Sequence, residues 1–152
     1  MSYQDHLETP VGKMQITANQ QAVTSIYFVD KTDAVNPNGI TARAKQQLQE
    51  YFDGERQQFD LPLQARGTKF QQQVWDALCS IEYGQTCSYS DIAVMIENPK
   101  AVRAVGAANG KNPLTIVVPC HRIIGRDGSL TGYASGTQRK SWLLNHEGDS
   151  LF

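Results

Sequence analysis

Apolar and polar residues alternate over Lys13–Asn19, with Met14, Ile16 and Ala18 each separated by one polar position. Successive side chains on a strand face opposite ways, so a period of two predicts a strand with one buried face. Ala22–Val29, "AVTSIYFV", is rich in β-branched and aromatic residues and predicts its hairpin partner. After the loop marked by Asn36-Pro37-Asn38-Gly39 the pattern changes. "TARAKQQLQEYFDG" predicts a helix from about Ala42 to Phe52, with Gly54 just past its end. Asp60–Gly67 has a proline, a glycine and no period, and a domain boundary is expected there.

The rest of the chain is denser in helical signals. Thr68 is a candidate N-cap for a helix whose apolar stripe is Phe70, Val74, Ala77, Leu78 and Ile81. Cys79 lies near that stripe and reads as a buried, inert thiol. "SYSDIAVMIENPKAVRAVGAANGKNP" predicts two short helices. One runs from about Ser90 to Ile96. The other has Asn98 as N-cap, Pro99 at its first position, and runs to about Asn109 before Gly110. Two short helices with a tight break form the helix-turn-helix pattern, as any αα-corner also does. The second helix is built of small residues around one arginine. "LTIVV", Leu114–Val118, predicts a short buried strand. A turn at Pro119-Cys120 and a glycine-rich loop follow. An amphipathic helix from about Gln138 comes next, with Trp142, Leu143 and His146, then Glu147 and Gly148. The expected fold is α+β in two parts. Residues 1–63 form a small sheet-and-helix domain, and 64–152 a mainly helical domain with a helix-turn-helix.

Composition adds exclusions. "MSYQDHLETP" has neither a basic start nor an apolar core, so no signal peptide is read. No apolar run approaches the roughly 18 residues of a membrane span. Three cysteines form no disulfide framework, which predicts reduced thiols and a cytoplasmic protein. Net charge is −1, but it is unevenly spread. The acidic excess lies within 1–63. Asn98–Arg126 carries Lys100, Arg103, Lys111, Arg122 and Arg126 with no acid. A focused cationic stretch suits an anionic partner, or is a solvated face.

Cys120 and His121 are adjacent, directly after the apolar run. Three readings stand. In the first, Cys120 is a nucleophile, deprotonated by a histidine that a carboxylate orients; Glu147 is the candidate. Neighbours on a regular strand face apart, so the pair cooperates only if the chain turns or a water bridges them. The second is a metal site, but Cys79, Cys87, Cys120 and His121 match no zinc spacing, and no metal is expected. The third is a buried thiol beside a hydrogen-bonded histidine.

"NPLTIVVPCHRIIGRDGSLTGYASGTQRKSWLLNHEG" resembles the active-site region of the O6-alkylguanine-DNA alkyltransferases, the methylated-DNA–protein-cysteine methyltransferases. The likeness runs through about 68–148. The N-terminal part is similar in outline only, as a ribonuclease H-like domain, and the C-terminal part implies a winged-helix-like one. The resemblance implies direct-reversal repair: one irreversible transfer of an alkyl group from O6 of guanine, flipped out of double-stranded DNA, to Cys120. It implies His121 as a base acting through water and Glu147 as its orienting group. Asn112 resembles the family's hinge asparagine. Tyr89 resembles the tyrosine that helps extrude the nucleotide and protonate the leaving guanine. Arg103 is similar to the finger that replaces the flipped base. Lys100, Ala101, Gly106, Asn109 and Arg122 join it as DNA contacts, through the minor groove. Val118, Ile123, Tyr133, Ala134 and Ser135 would line the pocket. The backbone at Cys120 and Ile123 would accept from the guanine amino group, and the Ala134 N–H would face the substrate oxygen. No cofactor is implied, and a monomer is expected. Glu82 stands where relatives often carry proline, Ile123 where valine is usual, and Ala134 where some have serine.

Small residues fit close approach in a narrow groove, and extrusion of a base costs a few kcal/mol that an inserted side chain partly offsets. Two rivals differ in class. An alkyltransferase-like binding module would lack the cysteine, which is present. A Cys–His hydrolase needs turnover and an oxyanion hole, which adjacent residues beside a helix-turn-helix do not favour.

Overall fold

The computed structural model describes residues 1–130 and 132–148. Thr131 of the glycine-rich loop and residues 149–152 of the expected C-terminal domain lie outside the described residues. The chain divides into two units, 1–66 with 113–117, and 67–112 with 118–152.

The first unit is an antiparallel meander, β1 (Tyr3–Thr9), β2 (Gly12–Ala18) and β3 (Val23–Val29), with helix α1 (Gly39–Phe52). The alternation in β2 works as expected: Met14, Ile16 and Ala18 are buried while Lys13, Gln15 and Thr17 are not. Asn19 makes the hairpin turn, its side chain accepting from the backbone N–H of Gln21 and Ala22. Ala44, Leu48 and Tyr51 of α1 are fully buried. Its N-terminus is closed by a reciprocal cap between Asn38 and Thr41. β1 was not foreseen. Its one buried residue, Leu7, is too little for a period, and pairing along the whole length of β2 holds it instead.

The second unit is mainly helical. It holds α2 (Lys69–Leu78), β4 (Cys87–Ser88), α3 (Tyr89–Met95), α4 (Val102–Gly110), a 3-10 turn (Cys120–Arg122), β5 (Ile123–Ile124) and α5 (Thr137–His146). β4 and β5 pair in parallel. Thr68 caps α2 with Gln71, and Ser88 caps α3 with Asp91, both as capping boxes. Val74, Trp75, Leu78, Ile92 and Val105 form the packed face of α2, α3 and α4. The Trp75 indole N–H donates to the Ala108 carbonyl at 2.9 Å, which fixes α4 against α2.

Three expectations need correction. α4 begins at Val102, and Asn98 is not its cap; the Asn98 carbonyl instead accepts from the Ala101 N–H in the preceding turn. Cys79, the C-cap of α2, is exposed rather than buried, although its backbone stays helical and its N–H still donates to the Trp75 carbonyl. Leu114–Val118 is not a continuous strand. Leu114 makes a single parallel bridge to Ile26, and the chain then turns at Ile116, whose φ of 75° is a left-handed conformation that a β-branched residue rarely adopts. Two bonds hold the segment to β3, from the Ile26 N–H to the Pro113 carbonyl and from the Thr115 N–H to the Ile26 carbonyl. A run that reads as strand by composition is therefore bent by tertiary pairing.

Candidate active site and the exposed face of α4

Cys120, His121 and Arg122 form one tight 3-10 turn after Pro119, and all three are buried. The turn removes the difficulty of adjacency, since opposite facing applies only to extended chain.

His121 Nε2 lies 2.7 Å from Glu147 Oε2. Arg122 donates from Nε to Glu147 Oε1 at 2.8 Å, from Nη2 to Oε2 at 3.2 Å, and from Nη1 to the Ile81 carbonyl at 2.6 Å. Its guanidinium lies 5.7 Å from the centre of the Tyr83 ring. Burial pushes the Glu147 carboxyl up, but His121 and Arg122 outweigh it and hold the group at about 2. Glu147 is thus ionised at neutral pH and can only accept hydrogen bonds. The proton in the 2.7 Å contact belongs to His121 Nε2. Burial keeps the imidazole below its ordinary pKa against the pull of Glu147, with Arg122 and Lys140 adding to burial. The ring is then neutral, with the free lone pair on Nδ1. That atom is buried and has no hydrogen-bond partner among the described residues. A carboxylate-held histidine with a spare basic nitrogen can act as a general base.

Burial pushes the Cys120 thiol up; the Asn112 side chain, the Lys140 charge and the cysteine's own backbone pull it down. Asn112 Nδ2 donates to the Val118 carbonyl at 2.8 Å, across the turn at Pro119. Lys140 is completely buried, and burial lowers its amine to about 8, opposed by Cys120. It still carries a proton at neutral pH. Sequence reasoning missed this lysine. The signal was its register: Lys140, Leu143, Leu144 and Glu147 follow the spacing of one helix face, and all four are buried. α5 therefore delivers a cation and, at its C-cap, a carboxylate to the same turn.

Val118, Ile123 and Tyr133 are buried, Ser135 is half-buried and Ala134 is exposed. The Tyr133 hydroxyl has no partner among the described residues; burial, then Cys120, holds its pKa well above the ordinary value. Tyr89, the first residue of α3, directs its hydroxyl at Gly132. A Cβ there would lie 2.7 Å from the Tyr89 oxygen, and φ at Gly132 is +68°, so only glycine suits the position.

α4 is two-faced. Val102, Arg103, Ala104, Ala107 and Gly110 are exposed, whereas Val105, Ala108 and Asn109 are buried. Lys100 is exposed and Ala101 and Gly106 are half-buried. Two expected DNA contacts lie elsewhere. Arg122 is buried because its guanidinium is used by Glu147 and Ile81. Asn109 falls on the inward face, four residues after Val105, and its Nδ2 donates to the Cys120 carbonyl. The outward cations are Lys100, Arg103, Lys111 and Arg126.

Known proteins match this arrangement along nearly the whole chain. Residues 3–65 match the family described as 6-O-methylguanine DNA methyltransferase, ribonuclease-like domain, and residues 69–149 its DNA binding domain. The constitutive methylated-DNA–protein-cysteine methyltransferase of Bacillus subtilis is 49% identical, with 97% of this chain and 96% of that protein covered. The Methanosarcina barkeri protein of the same description is 43% identical over 98% and 99%. Among solved structures, the O6-methylguanine methyltransferase of Mycobacterium tuberculosis superimposes with a TM-score of 0.88 at 43% identity, covering 97% of this chain and 93% of that one. A structure of the M. tuberculosis protein in complex with DNA gives 0.87 at 44% identity, covering 93% and 90%.

Proposed function

Because the chain belongs to the 6-O-methylguanine DNA methyltransferase family, and is a DNA repair methyltransferase that moves the methyl group to a cysteine of its own, we propose that this cysteine is Cys120. The observation that carries the assignment is the buried turn in which Cys120 is followed by a histidine held at 2.7 Å by an ionised carboxylate. Of the three cysteines, only Cys120 has such a neighbour. Cys79 and Cys87 are each followed by a serine, Ser80 and Ser88.

His121 Nδ1 takes the Cys120 proton through a water, and Glu147 steadies the charge that forms on the ring. Lys140 favours the thiolate. The sulfur displaces the guanine oxygen at the methyl carbon. The S–C bond forms as the O–C bond breaks, and the electron pair goes to the guanine. Tyr89 supplies a proton to the leaving base. The thioether has no route back to a thiol, so each molecule acts once.

DNA enters along α4 through the minor groove, and Arg103 fills the gap left by the flipped guanine. Lys100, Lys111 and Arg126 neutralise phosphates. The Cys120 and Ile123 backbone receives the guanine amino group, Tyr133 walls the base, and the Ala134 N–H meets its oxygen. The protein acts as a monomer, and its free thiols suit the cytoplasm.

The test measures guanine restored in duplex DNA carrying O6-methylguanine. One equivalent per protein molecule is expected, and none from Cys120→Ala. Restoration by the variant, or repeated turnover by the wild type, contradicts the assignment.

A further inference from the structure

Asn109 Nδ2 donates to the Cys120 carbonyl at 3.4 Å, and both groups are buried. Three residues later, Asn112 Nδ2 donates to the Val118 carbonyl at 2.8 Å. Asn109, in the last turn of α4, and Asn112, two residues past the helix end, hold the carbonyls on either side of Pro119. Asn112 already fixes the approach of the chain to the turn. The Asn109 bond addresses a different oxygen, the one borne by the reactive residue itself.

Packing does not account for an asparagine there. Its neighbours on the inward face are Val105 and Ala108, and its own Oδ1 is buried with no partner among the described residues. A leucine would fill the space without burying an unsatisfied oxygen. The reverse orientation of the amide would set Oδ1 against the Cys120 oxygen, so the donor is correctly assigned to that side. The same turn of α4 is fixed from α2 by the Trp75–Ala108 bond, so the amide has a rigid base. A carbonyl oxygen has two lone pairs. One donor from Asn109 orients the oxygen and leaves capacity for another.

We propose that Asn109 is a positioning residue for guanine recognition, aiming the Cys120 carbonyl at the exocyclic 2-amino group of the flipped base. This rests on the reading of Cys120 as the alkyl acceptor. Asn109 then governs discrimination between O6-alkylguanine and the corresponding 6-alkoxypurine without the amine. It leaves the intrinsic reactivity of the thiol alone.

The experiment compares single-turnover rates on duplexes containing O6-methylguanine or O6-methylhypoxanthine, for wild type, Asn109→Leu and Asn109→Ala. Iodoacetamide alkylation of Cys120 serves as the readout of reactivity, and thermal melting identifies the folded variants. The wild-type preference for the amino-bearing base is expected to shrink about tenfold in either folded variant. The iodoacetamide rate and its pH profile are expected to stay within twofold. Equal slowing on both bases, or a parallel fall in the iodoacetamide rate, overturns the proposal and makes Asn109 a structural residue. Transfer that persists in Cys120→Ala removes the Cys120 assignment itself.

Discussion

Glu147 serves His121 and Arg122 together, so its loss has more than one consequence. Glu147→Ala leaves a buried guanidinium without its carboxylate and should cost about 3–5 kcal/mol in urea unfolding. Its pH dependence follows from the direction of the shift. A carboxyl held at about 2 against an ordinary 4.5 stabilises the fold fully above about 4.5 and loses that contribution as pH falls towards 2. His121, lowered from 6.5, has the same sign: its share is complete above 6.5 and declines on acidification. The wild type should therefore lose stability from mildly acidic pH downward. Glu147→Gln should lack the part below about 4.5, and an unchanged acid limb in that variant would contradict the pairing. Lys140 tests the cysteine. Lys140→Met should move the pH midpoint of Cys120 alkylation by iodoacetamide upward, and a midpoint that stays or falls would show that the sulfur does not feel the ammonium. At this scale the sequence offered the Cys–His–Glu set as one of three readings of the adjacent pair, and the resemblance implied the same residues. The sequence hid Lys140 and the burial of Arg122, because a cation in a charged list looks solvated until its register on a helix is counted.

Among the elements, α4 presents two distinct faces. Arg103 points outward, while Asn109 and, just past the helix, Asn112 point to the turn that bears the cysteine. Arg103→Ala should slow repair in duplex DNA at least tenfold more than reaction with a free O6-alkylguanine base. Equal losses would contradict a role in extrusion. The capping boxes at Thr68 and Ser88 illustrate what is legible locally, since polar residues three apart announce a helix start. Thr68 was readable this way, whereas Asn98-Pro99 mimicked the signal without starting a helix. The bend at Ile116 was not legible. Five apolar residues describe a strand equally well whether or not their backbone continues straight, and only the hydrogen bonds to Ile26 decide it.

For the whole molecule, a net charge of −1 conceals a cationic set on the DNA-binding part. Binding to undamaged DNA should weaken linearly in log–log fashion with added salt, and Lys100→Ala should reduce the slope by about one. A salt-independent affinity would place the DNA elsewhere. The two-part organisation shows in the change from a period of two to helical spacing. It does not show that 113–117 group with the first unit, because non-local pairing leaves no periodic trace. Each protein molecule is expected to be alkylated once, at Cys120. Intact-protein and peptide mass spectrometry after incubation with excess O6-methylguanine duplex reads this out. A single added methyl group is expected on the peptide containing Cys120, with the Cys79 and Cys87 peptides unmodified. Methyl on either of those cysteines, a second methyl, or an unmodified protein beside repaired DNA would contradict it.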